Sequence, residues 1–140
     1  MSIGCRQELT MGMERRLFQR FPLALNGSLF LCKAQGGERL SRPVNCQVVD
    51  LSKRGAGLII RQIIVDNQHL FFGPLESDQL ILHLTIDQQE TEPPSITFAV
   101  RPLWFDRILF EDQQPFKMGI EFFEKIPEDD FRRLKKLTVR

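Results

Sequence analysis

The sequence predicts an all-β fold: a six-stranded antiparallel barrel, closed or nearly so, with one α-helix at its C-terminal end and a flexible arm at its start. Three observations carry this expectation. Apolar and polar residues alternate with period two in several separate stretches, as half-buried strands require. The last stretch, PEDDFRRLKKL, changes to helical spacing. With 140 residues, 42% of them hydrophobic and 26% charged, the chain has the length of one domain and enough apolar material for a single core.

Each element can be justified in turn. The first three strand candidates are LALNGSLFLCK, VNCQVVD and AGLIIR, with a turn at Gly36-Gly37 between the first two. A second turn is expected near Gly73-Pro74. In QLILHLTID, Leu80, Leu82, Leu84 and Ile86 share one face, and Ile81, His83, Thr85 and Asp87 share the other. SITFAVRPLWF places Ile96, Phe98 and Val100 together, and Pro102 marks an edge or bulge near Trp104. KMGIEFF alternates through Met118, Ile120 and Phe122. The helix opens at Pro127 with three acids, then sets Phe131, Leu134 and Leu137 three residues apart among basic residues. Residues 1–13 are read as the flexible arm and residues 14–140 as the domain, with the acidic Gln88 to Pro94 stretch as a flexible strand connection.

Charge and cysteine usage narrow the function. The net charge is only +1, yet ten Lys/Arg face four Asp/Glu through Gln62, against nine and fourteen beyond it. That asymmetry suits a compact anion held by the N-terminal half better than a long polyanion, whose phosphates need basic residues spread over a wide face. Cys5, Cys32 and Cys46 are odd in number and far apart, so they read as reduced thiols in a cytoplasmic protein. Residues 1–13 lack an apolar run of signal-peptide length, and no stretch reaches the length of a membrane span, so a soluble protein is expected. His69 and His83 have no partners at metal-ligand spacing.

Two stretches carry chemistry. In ERRLFQRF, Arg16 and Arg20 lie four residues apart and follow Arg15. Like charges this close repel, and an anion between them removes the repulsion. The second stretch, Asp50-Leu51-Ser52-Lys53-Arg54-Gly55, interrupts two apolar strands with an acid, a hydroxyl and a glycine. Asp and Ser can bond nearby backbone, and Gly permits a positive φ or a close approach. Lys53 and Arg54 are expected on a solvated loop tip.

Arg16-xxx-Arg20 followed by Asp50-x-Ser52-xx-Gly55 resembles the two-part signature of PilZ domains, bacterial receptors for the second messenger cyclic di-GMP. The resemblance continues through Ala56-Gly57-Leu58, Trp104 and Met118-Gly119-Ile120-Glu121-Phe122, and so covers about residues 14 to 137. It implies a six-stranded PilZ-like barrel with a C-terminal helix, in agreement with the alternation pattern. It also implies that Arg16 and Arg20 grip the nucleotide through guanine edges and phosphate, with Arg15 adding a phosphate contact or a stacking surface. Asp50 would accept the guanine N1 and N2 donors, Ser52 would bond the ligand or fix the loop, Gly55 would leave room for backbone approach, and Trp104 would lie at the periphery. The chemistry suits these roles, because a guanidinium fork matches phosphate oxygens or the guanine O6/N7 edge, and an ionised carboxylate is an acceptor only.

The expected function is therefore a cyclic di-GMP receptor without enzymatic activity or a cofactor. Its N-terminal arginine arm would close on the nucleotide and change the surface presented to a downstream protein partner, the receptor itself being a monomer or weak dimer. Catalysis finds no Ser-His-Asp or Cys-His motif and no P-loop, and Asp129-Asp130 belong to the start of a helix. The alternative is a PilZ-like adaptor that works by protein contact and ignores the nucleotide. A barrel for single-stranded nucleic acid needs aromatic platforms along a basic groove, and the acidic second half with one Trp and no Tyr does not provide them.

Overall fold

The computed structural model describes residues 21–88, 94–109 and 114–137. The arm over residues 1–13, the arginines Arg15, Arg16 and Arg20, and residues 89–93 of the acidic connection lie outside the described residues. The elements in chain order are β1 (Phe21–Lys33), β2 (Val44–Leu51), β3 (Gly55–Ile60), β4 (Ile64–Val65), β5 (Gln68–His69), α1 (Phe72–Glu76), β6 (Leu80–Asp87), β7 (Ser95–Arg107), β8 (Phe116–Phe122) and α2 (Glu128–Lys136).

Six of the strands form a closed barrel in the order β1-β2-β3-β8-β7-β6, and every neighbouring pair is antiparallel. Closure through the β1–β6 pairing removes the open edges that a flat sheet would expose. Alternation decides what lies inside: Leu82, Leu84 and Ile86 of β6 are fully buried, as are Leu29 and Leu31 of β1 and Leu58 of β3. Each such side chain contributes roughly 1.5–3 kcal/mol by leaving water. The expected turn falls at Gly36 and Gly37, both at positive φ.

Helix α2 closes one end of the barrel. Phe131 and Leu134 enter the same buried cluster as the strand residues, with Ile126 before them. Glu128, Asp129 and Asp130 occupy its first turn and Arg133, Lys135 and Lys136 its last, matching the helix dipole at both ends. The Phe131 N–H donates to the Pro127 carbonyl at 2.9 Å, which starts the helix directly after the proline. No helix among the described residues is long and apolar enough to cross a membrane.

The other end holds more structure than the turn expected at Gly73-Pro74. Strands β4 and β5 form a hairpin whose two turn residues, Asp66 and Asn67, both have positive φ, the combination that a type I′ turn requires. The Asp66 carboxylate accepts from the Arg42 backbone N–H at 2.8 Å and from its Nε at 3.1 Å. Helix α1 follows, and His69 Nδ1 accepts the backbone N–H groups of Phe71 and Phe72 at 3.2 and 3.0 Å. Pro74 fits here because the first turn of a helix has no intrahelical use for its N–H groups. Ile63, Val65, Leu70 and Phe71 from this segment join the core.

Candidate functional site

Two β-bulges place the site. On β2, Val44, Cys46 and Val48 are buried, and strict alternation would turn Asp50 inward after them. The pairing with β3 instead moves from Val48↔Leu58 to Asp50↔Gly57, two steps on one strand against one on the other. The extra residue, Val49, is a bulge that turns Asp50 outward and returns Leu51 to the core. Strand β7 repeats the device. Its pairing with β8 moves from Pro102↔Ile120 to Trp104↔Gly119, so Leu103 is the extra residue. Trp104 turns outward, with 39% of its surface exposed, and Phe105 packs against the core.

The bulges align four residues on one outer face. Asp50 pairs with Gly57, Gly57 with Gly119, and Gly119 with Trp104, one residue from each of β2, β3, β8 and β7. A Cβ at Gly57 would stand 2.5 Å from Asp50 Oδ2, and a Cβ at Gly119 would collide with the Trp104 indole, Nε1 nearest. The two glycines therefore let a carboxylate and an indole lie flat on the sheet, leaning toward each other over backbone positions roughly 5 Å apart. Glycine at the outward positions of two adjacent strands, Gly57 and Gly119, is the sequence signal of such a close approach. Farther along β2 and β3 the face continues into a groove of about 590 Å³ lined by Asn45, Gln47, Ile59, Arg61 and Gln62.

The loop between β2 and β3 is held from within. Ser52 is 1% exposed, and its Oγ accepts the N–H groups of Arg54 at 3.2 Å and Gly55 at 3.1 Å while donating to the Gly55 carbonyl at 3.3 Å. The Ser52 N–H also donates to that carbonyl, at 2.9 Å. Of the two roles expected for Ser52, fixing the loop is the one that these bonds perform. Gly55 has no positive φ; its missing side chain admits the Ile120 carbonyl of β8, which a Cβ would meet at once. Its close approach is to the protein's own backbone.

The same loop is tied to the start of α2. The Phe122 N–H donates to the Arg54 carbonyl at 2.8 Å and the Ile126 N–H to the Lys53 carbonyl at 3.0 Å. Lys53 Nζ pairs with Glu128, and this hydrogen bond holds the Glu128 carboxyl below its usual range. Lys53 is thus turned to the helix rather than standing on a solvated tip, whereas Arg54 is exposed. Among the described residues no three His, Cys, Asp or Glu side chains converge as metal ligands would.

Asp50, Ser52, Gly55 and Trp104 are therefore brought to one face and one loop, with Ser52 beneath the surface. Together Asp50 and Trp104 offer an acceptor pair and an aromatic surface to a planar ligand carrying adjacent N–H donors.

No protein-family model matches the sequence, and no curated protein sequence matches it. Solved structures do match in three dimensions. The PilZ domain of YcgR from Escherichia coli, solved with c-di-GMP, superposes with a TM-score of 0.53 over 86% of this chain and 88% of that one, at 10% identity. The PlzA protein of Borreliella burgdorferi, solved in complex with c-di-GMP, gives a TM-score of 0.54 at 12% identity over 94% of this chain. The chain spans about half of PlzA, 54% of its length. Sequence identities this low speak for architecture alone, and the architecture is a closed six-stranded antiparallel barrel with a C-terminal helix. The chain has the fold of a PilZ domain.

Proposed function

We propose that the chain is a cyclic di-GMP receptor domain, with Asp50 and Trp104 on the barrel and Arg15, Arg16 and Arg20 on the segment before it as the ligand-binding residues. The observation that carries this reading is the outward row Asp50–Gly57–Gly119–Trp104 beside the strand into which the arginines lead. Phe21 pairs with Leu51 and Pro22 with Asp50. Arg20 immediately precedes Phe21 in the chain. A guanine ring on the row would give its N1 and N2 donors to Asp50 and its π face to Trp104, leaving O6, N7 and phosphate for guanidinium forks. Ser52 and Gly55 serve the site by fixing the loop that follows Asp50.

The proposed action is closure of the arginine segment over the bound nucleotide. Three arginines close together gain their counterion only in the bound state, so ligand and closure favour one another. The closed segment would then form part of the surface that a protein partner reads. A receptor of this kind needs no catalytic group.

Isothermal titration with cyclic di-GMP tests the reading. The intact protein should bind at micromolar concentration or below, and Arg16→Ala, Arg20→Ala and Asp50→Ala should each lose about 1–3 kcal/mol, or roughly 5- to 150-fold in affinity. Quenching of Trp104 fluorescence should accompany binding. An intact protein that ignores the nucleotide would overturn the receptor reading and favour the adaptor. Equal binding by the Asp50 and Arg20 variants would overturn the residue assignment.

A further inference from the structure

We infer that the groove beside the glycine row is a second purine subsite, which takes the other guanine of the nucleotide whose first base lies on the row, with Asn45 and Gln47 reading its edge; this rests on the cyclic di-GMP reading above. The groove opens where the row ends. Ile59 follows Gly57 by two residues on β3, about 7 Å along the strand, and it pairs with Gln47 on β2 as Gly57 pairs with Asp50. Asn45 lies two residues from Gln47, so both stand on the same outer face.

The lining selects the chemistry. A volume of about 590 Å³ is within the range of small-molecule sites. The floor is Ile59, which alternation turns outward between the buried Leu58 and Ile60, yet only 7% of its surface is exposed because its neighbours wall it in. Carboxamides stand around it. Gln62 is committed to the backbone, its Nε2 donating to the Ile64 carbonyl at 2.9 Å. The Asn45 and Gln47 side chains have no hydrogen-bond partner among the described residues, and each offers two N–H donors and an acceptor oxygen. Arg61 is the one charged residue of the described lining. Past Ile59 the outer face continues to Lys117 on β8 and its partner Asp106 on β7, opposite charges that give that rim no net sign.

These groups fit a planar heterocycle with a mixed edge. An apolar ligand would take water from two carboxamides and give them nothing in return. A lone phosphate calls for several donors or cations aimed at one point, whereas here neutral amides outnumber the single guanidinium. A purine edge places donors beside acceptors, the pattern that a carboxamide matches with paired bonds, and its ring face can lie on Ile59. The two bases of cyclic di-GMP belong to one macrocycle. Seating the first therefore holds the second close to the groove, and its contacts add affinity as an intramolecular event.

Titration and NMR with cyclic di-GMP test the subsite. Gln47→Leu keeps the size of the side chain and removes its polar atoms, and Gln79→Leu makes the same change at an exposed position between α1 and β6. Gln47→Leu should weaken binding about 3- to 10-fold, and Gln79→Leu should leave it unchanged. In the complex with the intact protein, guanine H8 should give nuclear Overhauser effects to the Ile59 methyl groups as well as to the Trp104 indole. Effects to Trp104 without any to Ile59, or equal affinities for Gln47→Leu and the intact protein, would overturn this inference, while the receptor reading stands as long as Asp50→Ala weakens binding. An intact protein that does not bind overturns both.

Discussion

The indole of Trp104 lies across the backbone of Gly119 on the neighbouring strand, in the place a side chain would otherwise take. Gly119→Ala must therefore push the ring off the sheet. The expected cost is about 1–3 kcal/mol, the range for forcing an extra methyl into packed space, and the low end applies because the ring is partly exposed. Trp104 is the chain's one tryptophan, so its fluorescence reports this position without labels. Emission of the alanine variant should shift to the red, and cyclic di-GMP should quench it less. An unchanged spectrum would mean that the indole does not depend on Gly119.

Asp50 faces outward because Val49 is an extra residue in β2. Deleting Val49 removes the bulge and leaves Val48, Asp50 and Leu51 opposite Leu58, Gly57 and Ala56, so strict alternation then keeps the carboxylate outward and Leu51 in the core. The deletion should therefore lower the urea midpoint by no more than an ordinary single-site change, about 0.5–3 kcal/mol, and should keep cyclic di-GMP binding. Asp50→Ala, by contrast, should change stability by less than about 1 kcal/mol and act on ligand affinity. A loss of binding in the deletion variant as large as in Asp50→Ala would show that Asp50 leaves the outer face without Val49.

The buried Ser52 hydroxyl receives the N–H groups of Arg54 and Gly55. Ser52→Ala leaves both donors without that acceptor next to a buried strand start, at a cost of about 1–3 kcal/mol. Amide exchange at Gly55 should accelerate, and thermal unfolding should move down. Ligand affinity should fall by less than in Asp50→Ala, because Ser52 acts through the loop. A loss as large as that of Asp50→Ala would place the hydroxyl on the ligand.

Most of the barrel was legible because its strands obey the period-two rule over many residues: Leu82, Leu84 and Ile86 could be sent inward from sequence alone, and they are. The helix was legible from its acids, its proline and the spacing of Phe131 and Leu134. The β4–β5 hairpin was not, because two-residue strands carry no periodicity and only Asp66-Asn67 marked their turn. Within the site, Asp50 and Trp104 were found as residue types, but their common face depends on Val49 and Leu103. A bulge leaves no mark in an apolar run, since valine or leucine is acceptable on either side of a strand.

Two histidines set how the fold responds to mild acid. His69 Nδ1 accepts the N–H groups of Phe71 and Phe72, and burial lowers its pKa from the usual 6.5. His83 stacks on Phe30 with ring centroids 5.5 Å apart, and burial lowers its pKa as well. Both groups are harder to protonate folded than unfolded. Above the unfolded value of about 6.5 neither state binds the proton and stability does not depend on these groups. As pH falls below it, the unfolded chain takes up protons first, so stability declines until the folded pKa values are passed. Glu128, whose pKa is held below 4.5 by Lys53, adds its loss only at lower pH, so the interval from about 6.5 to 5 belongs to the histidines. Urea unfolding across that interval should show the decline. His69→Asn, which keeps a side-chain acceptor for α1 but cannot be protonated, should make it shallower. An equal slope in the variant would assign the acid response to His83 alone.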